Sequence, residues 1–253
     1  MAGTAGGIRV GVAGWSIPKQ HSDAFPEEGT HLERYAQRFS AVEINSSFYR
    51  PHRPQTYARW AAAVPADFRF AVKMPREITH RHKLVDTAEL LERFMSEASA
   101  LGEKLGPVLV QLPPSLRFVQ ANVVAFMETL RARFDGAVVC EPRHESWFTN
   151  DVDKTLARYC IARVASDPAL VPRAAVPGGW MGLTYRRLHG SPEMYYSAYD
   201  AATIAGTAKA MRTEAHEAGE RWCIFDNTAR GEATANALSL RDQLHRHRKA
   251  PGA

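Results

Sequence analysis

Eight short, apolar, β-branched runs recur along the 253-residue chain at intervals of about 30 residues, the length of one strand-plus-helix unit. They are Ile8 to Ala13, Ala41 to Asn45, Phe68 to Lys73, Val108 to Leu112, Ala137 to Glu141, Ile161 to Ala165, Leu183 to His189 and Trp222 to Asp226. Strands separated by helix-length segments pair in parallel, because each connection is long enough to cross over and too long for a hairpin. The spacing predicts an α/β chain. Eight units without a linker-like shift in composition predict a single (β/α)8 TIM-type barrel over residues 8–247, with flexible tails at 1–7 and 248–253. An open doubly wound sheet is the competing arrangement. No Gly-rich phosphate fingerprint follows the first strand, and Gly11-Val-Ala-Gly14 is too short a match to count.

Helix signals fall between most of the runs. Thr30-His-Leu-Glu33 and Asp86-Thr-Ala-Glu89 read as capping boxes, in which the cap oxygen accepts an orphan N–H and the glutamate reaches back. Asp200 is placed to cap a helix that stops at Gly219. Between Asp167 and Trp180, prolines and a Gly-Gly pair leave little room for a helix, so the outer helix after strand six is expected to be a loop.

Composition excludes several classes. Hydrophobic residues at 45% and charged ones at 23% suit a globular chain with a core. No apolar run reaches the roughly 18–20 residues of a membrane span, and Met1 to Gly7 lacks the charged and apolar regions of a secretory signal, so a cytoplasmic protein is expected. Cys140, Cys160 and Cys223 sit in apolar stretches without metal-ligand spacing and read as buried, reduced thiols. The net charge of +5 leaves nucleic-acid binding weakly supported, because Arg241, Arg246, Arg248 and Lys249 against Asp242 supply +3 of it at the chain's end.

Polar residues gather at the C-terminal ends of the runs, where barrel enzymes build their sites. Glu43 and Asn45 share parity opposite Val42 and Ile44, so the polar pair points inward when the apolar pair packs on helices. Lys73 is followed by Arg76 and His80, and Gln111 ends the fourth run. Glu141 is followed by Arg143 and Trp147, and the sixth run reaches Asp167. Tyr185, Arg187 and His189 share one face, and the last run ends in Asp226-Asn227. Charged groups inside a barrel are costly unless they are paired or bind something.

The same positions carry a resemblance. Gly14-Trp15, Glu43-Ile-Asn-Ser-Ser-Phe-Tyr49, Phe70-Ala-Val-Lys-Met-Pro-Arg76 with Ile78-Thr-His80, and Gln111-Leu-Pro-Pro114 resemble the YecE-like family, domain of unknown function 72. So do Glu141-Pro-Arg-His-Glu-Ser-Trp147, Arg187-Leu-His-Gly190 and Phe225-Asp-Asn227, which extends the likeness from about Ile8 to Leu240. The resemblance implies a TIM-type barrel and no established activity. Ser16-Ile17 departs from the family's frequent Gly-Trp-x-Tyr, which leaves the first loop without its tyrosine.

A mouth with carboxylates and cations in balance suits acid–base chemistry on an anionic, phosphorylated or carboxylated small molecule, of a hydrolase or isomerase kind. Glu141, His189, Asp226 and Glu43 are the expected catalytic groups. Lys73, Arg76, His80, Arg143, Arg187, Asn45, Gln111 and Asn227 are expected to bind substrate, with Trp15, Tyr49 and Trp147 stacking on it. No cofactor is expected. The alternative is a metal-dependent phosphodiesterase or sugar isomerase holding Mg or Mn on Glu141, Asp167, His189 and Asp226. A further alternative is a non-catalytic module that binds a ligand or protein. Ser191 to Tyr199 is placed to act as a lid. A Glu141 held among Glu43, Asp167 and Asp226 implies that Glu141→Gln preserves or raises stability.

Overall fold

The structure, a computed structural model, describes residues 7–214 and 219–248. Most of the two expected tails, and the segment before Gly219, lie outside the described residues. The strands are β1 (Ile8–Val12), β2 (Ala41–Ile44), β3 (Arg69–Lys73), β4 (Leu105–Gln111), β5 (Val138–Glu141), β6 (Ile161–Arg163), β7 (Ala165–Asp167), β8 (Gly178–Gly179), β9 (Leu183–Leu188) and β10 (Glu220–Phe225). Between them run α1 (His31–Ala36), α2 (Ser46–Tyr49), α3 (Pro54–Ala62), α4 (Ala88–Ala98), α5 (Gln120–Arg131), α6 (Asn150–Arg158), α7 (Ala201–Thr213) and finally α8 (Glu232–Arg248). All eight apolar runs are strands, and the sixth is split at Val164 into β6 and β7.

Where the spacing predicts one closed ring, the hydrogen-bonded ladders form two sheets, in the orders β1-β10-β9-β7 and β2-β3-β4-β5-β6-β8. Every pairing is parallel except that of β8 with β6. The sheets meet along two seams. At one, the sixth run passes from sheet to sheet: Ile161–Arg163 pairs with β5, and Ala165–Asp167 pairs with β9. At the other, Ala13 bridges Glu43, and the Gly14 N–H donates to Glu43 O at 2.9 Å. Lower on that seam the Tyr35 hydroxyl of α1 stands between the strands, accepting from Val12 N–H and donating to Ala41 O, both at 2.9 Å. Gly11 lets the strands approach there, because a Cβ at this position would stand 2.3 Å from Ala41 O.

Side-chain parity divides the core. Ala41, Ala71, Leu109, Val139, Tyr185 and Ile224 pack with one another on the inner faces of the strands. Val42, Val72, Val110 and Cys140 point outward, against Leu91, Phe94, Val123, Phe126 and Leu156 of the helices. Alternation with period two produces this division, and each large side chain so buried contributes about 1.5–3 kcal/mol.

Local signals succeed and fail for identifiable reasons. The Thr30–Glu33 capping box forms in both directions, and Asp200 accepts from Thr203 N–H at the start of α7. The Asp86 box does not form. Asp86 adopts φ +52°, so the helix opens one residue later on Thr87, without a side-chain cap. Between Asp167 and Trp180 there is no α-helix, only a 3-10 turn at Pro172–Ala175 and the two residues of β8. Cys140 and Cys223 are buried as expected; Cys160 is exposed, at φ +52° just past α6. No helix among the described residues is long and apolar enough to cross a membrane.

Candidate functional site

The inner faces end in a polar layer. Following the parity of Ala41, Ala71, Val139, Tyr185 and Ile224 one step further leads to Glu43, Lys73, Glu141, Arg187 and Asp226, and His189 lies two residues beyond Arg187. All six are buried, and three of them, Glu43, Glu141 and Asp226, surround the Arg187 guanidinium. Arg187 donates from Nε to Glu43 Oε2 at 3.0 Å and from Nη2 to Glu43 Oε1 at 2.7 Å, a bidentate fork. Its Nη1 donates to Glu141 Oε2 at 2.6 Å, and Nη2 also donates to Asp226 Oδ2 at 2.9 Å. Tyr185 donates its hydroxyl to Glu43 Oε2 at 2.9 Å.

His189 lies between two of these carboxylates, with Nδ1 3.0 Å from Asp226 Oδ2 and Nε2 2.8 Å from Glu141 Oε1. Arg143 Nη2 is 2.8 Å from both His189 Nε2 and Glu141 Oε1. The geometry accommodates either protonation state of the ring. A neutral ring donates from Nδ1 to Asp226 and accepts at Nε2 from Arg143; an imidazolium donates from both nitrogens to the two carboxylates, and Arg143 Nη2, itself a donor, must then withdraw from Nε2. Burial alone would raise the Glu141 pKa, but Arg187, then His189 and Arg143, hold it well below the ordinary carboxylate range. Burial likewise opposes ionisation of Asp226, and Arg187 and His189 outweigh it, so its pKa is lowered. Lys73 differs from its neighbours. Its Nζ lies 4.3 Å from the Phe48 ring centroid, and burial followed by the field of Arg187 pushes its pKa down to about 8.

The remaining expected residues divide into rim, support and core. Arg76 is exposed, and half-buried His80 bonds Thr79 Oγ1 at 2.8 Å; its pKa is lowered by burial, then by Lys73 and Arg76. Gln111 stands beside Glu141 in the ladder. Asn45 donates to Asp226 Oδ1 at 3.3 Å, and Asn227 donates to Ser197 O and Asn236 Oδ1. Arg143 Nε, Asn45 Oδ1 and Asn227 Oδ1 are buried polar atoms without a hydrogen-bond partner. Trp15 packs on Trp60 and Phe70, and Tyr49 is 71% exposed. Trp147 is not a stacking platform: it is fully buried, packs on Phe118 and donates its indole N–H to Leu116 O at 2.9 Å. Two expectations about charge change as well. Arg187 is fully buried and has four of its five N–H donors on three carboxylates, which turns it away from a ligand, and Glu141 stands among cations rather than like charges.

The donor set does not suit the alternative metal centre. A cation, Arg187, already stands between Glu43, Glu141 and Asp226, while Asp167 accepts from Tyr199 Oη at 2.8 Å. Among the described residues no three His, Cys, Asp or Glu side chains converge on a point where an ion would fit. Three aromatic residues outside the expected set join the site. They are Phe48 against Lys73, Tyr185 on Glu43, and Tyr195 edge-on to His189 with centroids 5.9 Å apart. Parity alone places Tyr185 on the inner face; the other two depend on how loops return. The Ser191–Tyr199 segment is held by Tyr199, whose hydroxyl accepts from Gly190 N–H at 2.8 Å, and by Ser197 O at Asn227.

Comparison with known proteins agrees with this architecture. Residues 9–253 match the family described as "Protein of unknown function DUF72". The UPF0759 protein YecE of Escherichia coli is 32% identical over 155 residues, a match that spans 60% of this chain and only 54% of that protein. The UPF0759 protein YunF of Bacillus subtilis is 25% identical over 94% of each chain. A crystal structure of a DUF72 family protein from Enterococcus faecalis superposes with a TM-score of 0.78 at 25% identity, covering 94% of this chain and 95% of that one. One from Thermotoga maritima gives the same score and identity over 94% and 99%.

Proposed function

This chain belongs to the DUF72 family, whose description assigns no reaction, and from its geometry we propose an enzyme that performs acid–base chemistry on a small anionic molecule at the C-terminal ends of its strands. The two sheets are read as the halves of a single (β/α)8 barrel over residues 8–247, a reading supported by the seam at Ala13–Glu43 and by the shared sixth run. The observation that carries the function is His189, suspended between Asp226 and Glu141 with Arg143 at its Nε2. A ring so held can take up a proton at Nε2 without turning once Arg143 withdraws, because Glu141 and Asp226 stand ready to accept from both nitrogens.

Arg143 is the group that meets the anion. Its side chain is 15% exposed and its Nε has no partner, whereas Arg187 is enclosed and committed to three carboxylates. An anion that draws Arg143 toward the rim uncovers His189 Nε2, which becomes the base, and Asp226 on Nδ1 stabilises the imidazolium that results. Arg76 and Lys73 add positive charge on the same side, next to His80. Arg187 then acts as the fixed cation that keeps Glu141 and Asp226 ionised and aligns both with Glu43.

Thermal midpoints in phosphate, sulfate and chloride at matched ionic strength test the anion site, since a ligand of the native state alone raises its stability. Phosphate or sulfate is expected to protect the protein more than chloride, and Arg143→Ala to remove most of the difference. Equal midpoints in the three salts would overturn the anion reading. Turnover of a panel of phosphorylated and carboxylated small molecules, lost in His189→Asn, tests the catalytic part; binding without turnover would instead identify a ligand-binding module.

A further inference from the structure

We propose that the ε-amine of Lys73 is a nucleophile that forms an imine with the carbonyl carbon of an aldehyde or ketone bearing an anionic group. The inference rests on the anion-binding reading above and adds the reacting group of the substrate to it. Lys73 closes β3 on the inner face and is 7% exposed. A buried lysine ordinarily pairs with a carboxylate, and here three carboxylates lie in its field: Glu43, Asp226 and Glu141. All three are held by Arg187, and Glu141 and Asp226 also by His189. Among the described residues Lys73 Nζ makes no hydrogen bond or ion pair; it rests against the face of Phe48.

This environment enriches the neutral amine. Burial, and then the charge of Arg187, outweigh the carboxylates and bring the pKa to about 8. At pH 7 such an amine is about one-tenth neutral, against roughly one part in 3,000 for an ordinary lysine. Enzymes that use lysine as a nucleophile activate it in this way, by an apolar wall and a neighbouring cation.

The step balances without an oxidant or reductant. The nitrogen lone pair attacks the carbonyl carbon, a C–N bond forms, and the C=O π pair moves to oxygen, which takes up a proton as nitrogen gives one up. The hydroxyl then leaves as water on receiving a second proton, and the nitrogen lone pair forms C=N. His80 is placed to carry these protons: its ring packs edge-on against the same Phe48, with centroids 4.9 Å apart. The iminium then accepts the electron pair when an adjacent C–H or C–C bond breaks, with His189 as the base.

Glyoxylate, an aldehyde with one carboxylate, is a suitable probe. The full-length protein is incubated with glyoxylate and cyanoborohydride, and modified residues are identified by peptide mapping among its seven lysines. Lys73 is expected to be modified at least about tenfold faster than the mean of the others at pH 7, with its rate levelling off above about pH 8 while theirs continue to rise. The Lys73→Arg variant is expected to lose the fast phase. Even modification of all lysines in the wild-type protein would overturn the proposal, and that result does not depend on any variant folding. Glycolate, which has the carboxylate and lacks the carbonyl, separates the two readings by its effect on the thermal midpoint. Protection by glycolate without preferred modification of Lys73 overturns the imine and leaves the anion site standing. Preferred modification without protection supports the amine and overturns the anion site.

Discussion

Arg187 donates to three carboxylates at once, so displacing the guanidinium takes a charge partner from all three. Glu141 is 1% exposed and faces Arg187, Arg143 and His189, so Glu141→Gln strips charge from desolvated cations. Denaturant titration is expected to show a loss of about 3–5 kcal/mol, the usual result of breaking a buried pair. Acid should reveal the same network. Glu141 and Asp226 have native pKa values below their unfolded ones, so the stability they confer is complete above the unfolded range near pH 4 and is lost as pH falls through the native values. Urea midpoints measured from pH 7 to pH 2 should fall less steeply in Glu141→Gln than in wild type. Lys73 runs the other way. Its native pKa of about 8 lies below that of an unfolded lysine, so stability rises as pH increases from about 8 to about 10.5. Lys73→Met is expected to stabilise the protein by roughly 3 kcal/mol at pH 7, a gain that disappears near pH 10.5.

At the scale of single elements, two identical-looking signals have different fates. Thr30 and Glu33 satisfy each other's backbone N–H groups, so Thr30→Ala is expected to cost about 1 kcal/mol. Asp86 sits at φ +52° and caps nothing, which makes glycine the better residue for that conformation. Asp86→Gly should be neutral or stabilising by up to about 1 kcal/mol. Thermal midpoints of the two variants decide the matter: an Asp86→Gly loss as large as that of Thr30→Ala would show a cap that the backbone geometry denies. A four-residue pattern specifies which groups can meet, and the loop leading into α4 decides whether they do.

At the scale of the whole molecule, the seam between β1 and β2 is the distinctive joint. A strand ladder would pair Val12 N–H and Ala41 C=O directly, yet the Tyr35 hydroxyl stands between them as donor and acceptor. Tyr35→Phe removes both bonds and leaves two buried backbone groups unpaired, which is expected to cost about 2–4 kcal/mol. Faster hydrogen exchange at the Val12 amide than at Val10, in the variant only, would locate that loss at the seam. Wild-type exchange in both positions would assign the joint to side-chain packing instead.

Much of this protein is legible in its sequence. The spacing of eight apolar runs dictates alternating strands and helices, and the parity of each run dictates that Glu43, Lys73, Glu141, Arg187 and Asp226 share the inner face, because side-chain direction is a local property of the strand. Pairing among those groups is not local. Arg187 meets partners 39, 46 and 144 positions away, and only the folded sheet decides that it is committed to three carboxylates while Lys73 has none and Arg143 keeps an unpartnered Nε. Trp147 went into the core and Asp86 into a left-handed turn for the same reason. Their own residue types permit either role, and the choice belongs to neighbours brought in from elsewhere in the chain.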